Sequence, residues 1–328
     1  MLKFNLIIKI AAIFILIPLL LTGCNNLADS NKKQSSKIKV AYIGELYEAP
    51  LFVAASKNLF KSAGLDVELV KVDSKDLENQ LLSGKIDAVT ADYKFFKYLQ
   101  GGLDFKLVAR IQSGCMEVIA PNNSSIKKLD DLKGKTVAVE GMGNGPMTIF
   151  SSIIRKDKID PVKDIKWKTY SVEQIKEVLS KNEIDAAVVW EPTNTNVNQN
   201  LKVLYSSSKE CSTYMHFSNS FIALNNNLIK NEPKTAQSLA IAWLKTAKWI
   251  EKNPKETIEI ALKDGYIKGD YESNNYILST YMWMPSVKYA KENVKIYIEE
   301  QSKNALISNG TDGDEFVKKI FSNIVPDF

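Results

Sequence analysis

Acidic and aromatic side chains cluster directly after several of the β-strands that the sequence predicts. The set comprises Glu45, Tyr47, Glu48, Asp92, Tyr93, Trp190 and Glu191. Carboxylates beside aromatic rings suit a cation, or a neutral ring held by stacking and cation–π contact. They suit a sulfonate poorly, unless backbone amides bind it. Two other roles compete, because Asp92 could cap the helix that begins at Tyr93 and Trp190 could belong to the core.

A glycine-rich segment, residues 141–146 (GMGNGP), links a predicted strand to a predicted helix. Glycine lets backbone N–H groups approach a ligand closely, and Pro146 suits the first turn of a helix. Because a helix N-terminus favours anions, we predict ligand contacts at Gly143, Asn144 and Gly145. The segment lacks the Gly-Lys-Ser/Thr ending of a phosphate-binding loop, and a tight turn without a ligand is the alternative.

Three cysteines and one histidine are the other candidates for nucleophilic or metal chemistry. Gly114 and Cys115 lie where the chain is expected to cross between two lobes, and both are included among the candidate ligand-binding residues. Cys115 and Cys211 could form a disulfide, could hold a soft ligand or metal as thiolates, or could be unrelated buried thiols. The single His216 is expected to be structural. Because no nucleophile, base and orienting group are suggested by spacing, no enzyme activity, metal site or cofactor is predicted.

The N-terminus has the features of a bacterial lipoprotein signal. Lys3 and Lys9 give the N-terminus a positive charge, and the uncharged apolar run Ile10–Leu21 follows them. As a helix, this run would span about 18 Å, which is too short to cross the ~30 Å hydrocarbon core of a membrane. A small residue, Gly23, then precedes Cys24. We predict that the signal is cleaved before Cys24 and that acyl chains on this cysteine hold the protein at the outer face of the cell membrane. A plain cleaved signal, or a short membrane helix, is the alternative.

Residues 24–37 contain few apolar side chains and are predicted to form a flexible tether. The chain has 43 basic and 38 acidic residues, an excess too small to indicate binding to nucleic acid. No nucleic-acid partner is therefore expected.

Beyond the tether, strand and helix patterns alternate over residues 38–111 and again over 116–224. Everything after Leu228 has helical spacing. One face of a long helix there carries Leu239, Trp243, Ala247 and Ile250. Alternation of this kind predicts an α/β fold with mostly parallel sheets and a helical C-terminal region.

The restart of the pattern predicts two lobes behind a signal peptide (1–23) and the tether (24–37). Lobe I is assigned residues 38–115 and 223–328, and lobe II residues 116–222. Because open α/β sheets bind ligands beyond the carboxyl ends of their strands, a cleft between the lobes would collect the loop residues named above.

Five stretches, in order along the chain, resemble the nitrate, sulfonate and taurine binding-protein family, which also includes binders of pyrimidine precursors. The stretches are AYIGELYEAPLFVAASKNLFKSAGLDVELV (41–70), LLSGKIDAVTAD (81–92), IKKLDDLKGKTVAV (126–139), NEIDAAVVWEPT (182–193) and LKTAKWIEKNPKETIEIA (244–261). The resemblance implies the two-lobed periplasmic-binding-protein type II fold. It also implies a monomer that delivers a small molecule to an ABC permease and its ATPase, without a cofactor.

The resemblance leaves the ligand open between an oxyanion or sulfonate and a cationic or heterocyclic solute. It also leaves two other functions open. One is a thiamine-pathway pyrimidine binder or synthase-like protein, and the other is a surface sensor built on the same fold.

Overall fold

We describe a computed structural model of the chain over residues 37–114, 116–190, 200–208, 217–308, 310–326 and 328. Residues Lys37–Phe328 belong to one compact unit. Predictions for the signal peptide, for Cys24 and the tether up to Ser36, and for Cys115, Glu191, Cys211 and His216 lie outside the described residues.

The described strands form two sheets. The first sheet contains β1 (Ile38–Tyr42), β2 (Val67–Lys71), β3 (Ala88–Ala91), β4 (Phe105–Gly114), β10 (Ser218–Asn225) and β11 (Tyr281–Met282), in the order β11-β4-β10-β3-β1-β2. The second contains β5 (Met116–Pro121), β6 (Thr136–Val139), β7 (Lys166–Thr169), β8 (Ala186–Trp190) and β9 (Leu201–Ser206), in the order β7-β6-β8-β5-β9. The chain passes from the first sheet to the second after β4, and β10 returns it to the first.

The helices of the described segments alternate with the strands and then follow them. The first six are α1 (Ala49–Ser56), α2 (Leu59–Ser62), α3 (Leu77–Leu82), α4 (Phe95–Gln100), α5 (Gly145–Lys156) and α6 (Val172–Ser180). The C-terminal six are α7 (Asn226–Asn231), α8 (Pro233–Lys252), α9 (Pro254–Lys263), α10 (Tyr271–Ser279), α11 (Lys288–Lys303) and α12 (Gly313–Ile320). The α/β class and the helical C-terminal region predicted from the sequence are thus confirmed.

The expectation of mostly parallel sheets was wrong for both sheets. In the second sheet, β6 is parallel to β7 and β8, but β5 is antiparallel to both β8 and β9. In the first sheet, antiparallel pairs outnumber parallel ones. Strands β1, β2 and β3 pair in parallel, as the strand–helix alternation predicts. However, β10 is antiparallel to both β3 and β4 and lies between them, so every pair on that side of the sheet is antiparallel. The local pattern could not predict this, because β10 lies more than 100 residues after β4.

The division into lobes remains a proposal, in which each lobe is built around one of the two sheets. The returning strand β10 lies wholly in the first sheet, whereas the predicted lobe II extends to residue 222. The proposed boundary therefore falls inside a strand whose pairing partners both belong to the first sheet.

The core on the first sheet is closed by the long helix α8. Its predicted apolar face is fully buried, through Leu239, Trp243, Ala247 and Ile250. Burial of that stripe stabilises the helix, whose own propensity contributes less than tertiary packing. A rigid sheet with a packed helix layer then holds the loops at the strand ends in place.

Candidate functional site

Three of the predicted residues meet at one point where the two sheets approach each other. Tyr93 follows strand β3 of the first sheet, Trp190 ends β8 of the second, and Gly145 begins α5. A β-carbon at Gly145 would lie 2.5 Å from Trp190 Cζ2 and 3.0 Å from Tyr93 Cδ2. Only glycine fits here, because a β-carbon essentially never lies so close to a neighbouring atom. We call the region bounded by the loops after β1, β3, β6 and β8 the cleft.

Residues 141–146, called the glycine loop below, begin α5 at one wall of the cleft. The side chain of Asn144 accepts a hydrogen bond from Met147 N (3.0 Å) and so caps the helix. Gly143 has a φ of +73°, a left-handed conformation that glycine adopts without strain. Its carbonyl oxygen accepts hydrogen bonds from Tyr297 Oη (2.8 Å) and Gln301 Nε2 (2.6 Å). Asn144 and Gly143 therefore shape the loop, and their contact with a ligand remains a prediction.

Tyr47 lies in a recess of the cleft that is surrounded by protein yet partly open to solvent. Burial raises the pKa of its phenol well above its ordinary value, and the charges of Glu48, Asp92 and Glu45 raise this pKa further. The phenol therefore stays protonated and can donate a hydrogen bond. The same interactions show that the structure brings the predicted Glu45, Tyr47 and Asp92 together, with Tyr281 beside them.

Asp92 is part of the recess and also bonds the turn before α4. Its Oδ1 atom accepts hydrogen bonds from Lys94 N (2.9 Å) and Phe95 N (3.3 Å). The helix begins at Phe95 rather than at Tyr93 and its N-cap residue is Lys94, so Asp92 holds the turn that leads into the helix and is not its N-cap. Burial raises the pKa of this carboxyl, although the charge of Lys94 and the bonded N–H groups act in the opposite direction.

Glu48 is only 1% exposed and organises the loop after β1. Its carboxylate accepts hydrogen bonds from the backbone N–H groups of Ile43 (3.1 Å), Gly44 (2.8 Å) and Glu45 (2.9 Å). Burial raises the pKa of Glu48 to about 7, against the lowering effect of these three donors. The observed role of Glu48 is thus to hold the loop that carries Glu45 and Tyr47.

Replacing this carboxyl in Glu48→Gln should flatten the pH dependence of stability. The pKa of Glu48 is raised on folding, so between pH 4.5 and 7 the folded state binds more protons than the unfolded state. This contribution to stability is largest below pH 4.5 and is lost as the pH rises to 7. The free energy of unfolding of the wild type should therefore fall by about 2 kcal/mol more than that of the variant between pH 5 and pH 7.

Urea unfolding at the two pH values measures this difference. Glu45→Gln, which removes an exposed carboxylate from the same loop, should keep the wild-type pH dependence. Equal pH dependence in the wild type and Glu48→Gln would contradict the buried, proton-retaining role.

The remaining predicted residue that the structure describes, Gly114, ends strand β4. A β-carbon there would lie 2.7 Å from the carbonyl oxygen of Thr280, because Tyr281 of β11 pairs directly with Gly114. The φ of Gly114 is +95°, which also requires glycine. Strand pairing accounts for this glycine, and its contact with a ligand remains a prediction.

Sequence reasoning missed several residues at the cleft. Glu140 follows β6 directly, so the rule about strand ends could have found it, and it interacts electrostatically with Lys94 across the cleft. Burial raises the pKa of Glu140, and the charge of Lys94 partly offsets that effect. Tyr281 lies in a two-residue strand, and Tyr297 and Gln301 lie in a helix far along the chain, so no local signal marked them.

Two surface cavities, of about 650 and 480 Å³, lie along α11 rather than at the contact around Gly145. Among the described residues, no group of three or more side chains is arranged to hold a metal ion. In that same part of the chain, no helix combines the length and the apolarity needed to cross a membrane.

Comparison with known proteins identifies the family. The model of the family described as NMT1/THI5 like matches residues 45–257, which is more than half of the chain. The chain belongs to the NMT1/THI5-like family. The match extends from the loop after β1 into α9 and so includes the strand-end loops of both sheets.

One relative by sequence is YtlA of Bacillus subtilis (strain 168), which is provisionally named a binding protein. It is 27% identical over 239 residues, which cover 70% of this chain and 71% of YtlA. This relative is thus named for binding rather than for catalysis.

Solved structures confirm the fold of this family member. The periplasmic aliphatic sulphonate-binding protein SsuA from Escherichia coli superposes with a TM-score of 0.68 at 14% identity, covering 88% of this chain and 92% of SsuA. The periplasmic nitrate-binding protein NrtA from Synechocystis PCC 6803 gives 0.63 at 18% identity, covering 87% and 86%. At these identities the likeness concerns the fold, which is the two-lobed architecture of periplasmic binding proteins.

Proposed function

We propose that this protein is the extracytoplasmic solute-binding lipoprotein of an ABC importer, which captures a small molecule in the cleft and delivers it to the permease. The contact of Tyr93 and Trp190 at Gly145 carries the proposal, because groups from both sheets converge on one point. A solute bound beside this contact would touch both walls and stabilise the closed arrangement of the two lobes. The family and the named binding function of YtlA support the same role.

The lining of the cleft favours a cationic or ring-bearing solute. Glu45, Asp92 and Glu140 supply carboxylates, and Lys94 is a base that interacts with Asp92 and Glu140. Tyr47 and Trp190 add aromatic faces that stack on rings and attract cations. We assign the charged contacts to Glu45 and Asp92, since the carboxylate of Glu48 is occupied by its own loop.

Native mass spectrometry of the purified wild type, after incubation with a deproteinised cell extract, tests this function. The expected result is a stoichiometric small-molecule adduct whose mass and fragmentation identify an amine or a ring-bearing compound. A bound alkanesulfonate or nitrate would contradict the proposed solute class. Chemical conversion of the bound compound on continued incubation would contradict the role in binding without catalysis.

The anchor is tested separately through Cys24. In the bacterial host, the wild type should fractionate with membranes, and its mature N-terminal peptide should begin at Cys24 with the mass of attached acyl chains. Cys24→Ala should lack the lipid mass and leave the membrane fraction, whereas Cys211→Ala should behave as the wild type. A mature wild-type chain without lipid would contradict the anchor.

A further inference from the structure

Tyr297 of α11 contacts both walls of the cleft. Its ring stacks on that of Tyr93, with the centroids 4.2 Å apart and the planes at 16°. Its hydroxyl donates a hydrogen bond to the carbonyl oxygen of Gly143 in the glycine loop, at 2.8 Å. Burial raises the pKa of Tyr297 to about 12, so the hydroxyl keeps the proton that this bond requires. One side chain thus bridges a residue after the first sheet and a loop of the second.

Gln301 lies one turn further along α11 and strengthens the same link. Its Nε2 atom donates to Gly143 O and to Thr148 Oγ1, each at 2.6 Å. A β-carbon at Gly143 would lie only 3.0 Å from Gln301 Oε1, so the loop and the helix are in close contact. The loop carbonyl is therefore held by two donors from a helix that packs on strands β4 and β10 of the first sheet.

A second contact joins the same two helices at the C-terminal end of α5. Arg155 near the end of α5 donates from Nε to Glu300 Oε2 at 2.9 Å, and Glu300 is only 5% exposed. This ion pair holds α5 to α11 without touching the glycine loop. It therefore provides a matched comparison for the contacts of Tyr297 and Gln301.

We propose that Tyr297 and Gln301 are positioning residues that set the width of the cleft. They fix the glycine loop, and with it Gly145, at a set distance from Tyr93. The width that the cleft offers to a solute beside this contact is then determined by α11 rather than by the residues that touch the solute. The expected effect on solute binding rests on the proposed function, but the fixing of the loop can be measured without any solute.

Hydrogen exchange of the loop amides tests the proposal in Tyr297→Phe/Gln301→Met. The phenylalanine keeps the stack on Tyr93, and the methionine keeps the volume of Gln301, so both donors are lost with little loss of packing. The backbone amides of Asn144, Met147 and Thr148, which are bonded within the loop and the first helical turn, report its mobility. Their exchange should accelerate at least tenfold, because the variant loses all three hydrogen bonds that these two side chains donate to the loop and to Thr148.

Solute retention in native mass spectrometry is the second readout. It should fall at least fivefold in the double variant, while Glu300→Gln leaves both loop exchange and retention unchanged. Unchanged loop exchange in the double variant would overturn the proposal, as would faster exchange with full retention. If the wild type retains no solute, the proposed function fails, whereas accelerated exchange would still show that the two residues fix the loop.

Discussion

Gly145→Ala is expected to abolish solute retention while leaving the fold intact. The added methyl group would lie 2.5 Å from Trp190 Cζ2 and 3.0 Å from Tyr93 Cδ2, so the two rings must separate. Because the rings belong to opposite walls, their separation opens the cleft at the point where the solute is proposed to bind. We expect the dissociation constant to rise at least ~100-fold, which corresponds to about 3 kcal/mol.

Global stability should change little in this variant. Gly145 is the first residue of α5, where alanine is a better helix former than glycine by up to ~1 kcal/mol. That gain offsets part of the cost of moving two aromatic side chains. Circular dichroism and the melting temperature should therefore remain close to those of the wild type, whereas retention in native mass spectrometry is lost.

Gly141→Ala is the matched control, because it changes another glycine of the same loop. A β-carbon at Gly141 meets no atom within 4 Å, and its φ is not in the left-handed range. It should retain solute as the wild type does. Full retention in Gly145→Ala, or equal loss in both variants, would contradict the convergence of the two walls at Gly145.

Trp190→Ala is expected to weaken solute binding about 30-fold or more. The side chain of Trp190 lies at the end of β8, is partly exposed to solvent, and contacts Gly145. Truncating an aromatic anchor of this kind costs about 2 kcal/mol or more of binding free energy. Isothermal titration with the solute identified from the wild type measures the effect.

Trp249→Ala provides the comparison for this prediction. Trp249 is also partly buried, but it lies on α8 under the ammonium group of Lys57, 4.8 Å from the ring centroid. It should bind solute with wild-type affinity. Wild-type affinity in Trp190→Ala would remove Trp190 from the site.

The rule that ligands lie beyond strand ends predicted much of the candidate site. It placed Tyr93, Gly145 and Trp190 in loops that the structure brings into contact. It also named Glu45, Tyr47 and Asp92, which share the recess around Tyr47. These residues come together because β1 and β3 are parallel, as are β6 and β8, and parallel strands end at the same edge of a sheet. Their contact with a ligand remains a prediction.

The same rule could not separate residues that face the cleft from residues that shape its loops. Glu48 and Asn144 have suitable chemistry, but their oxygen atoms bond to nearby backbone N–H groups. Short polar side chains and carboxylates commonly bond the backbone of their own turn, and the spacing alone does not distinguish the two uses.

Long-range contacts account for what the sequence could not predict. Tyr297 and Gln301 bond to Gly143 across 154 and 158 residues, and neither follows a strand. The position of β10 between β3 and β4 has the same origin, since it depends on which strands pair rather than on the pattern within each strand. The restart of the strand–helix alternation predicted two lobes, and the family resemblance added the periplasmic-binding-protein type II architecture.

A crystal structure of the wild type with the solute retained from the cell extract tests the central claim most directly. Electron density for the solute is expected in the cleft, in contact with Tyr93 or Asp92 on the first sheet and with Trp190 or Gly145 on the second. Density for the solute outside the cleft, or contact with one sheet only, would contradict it.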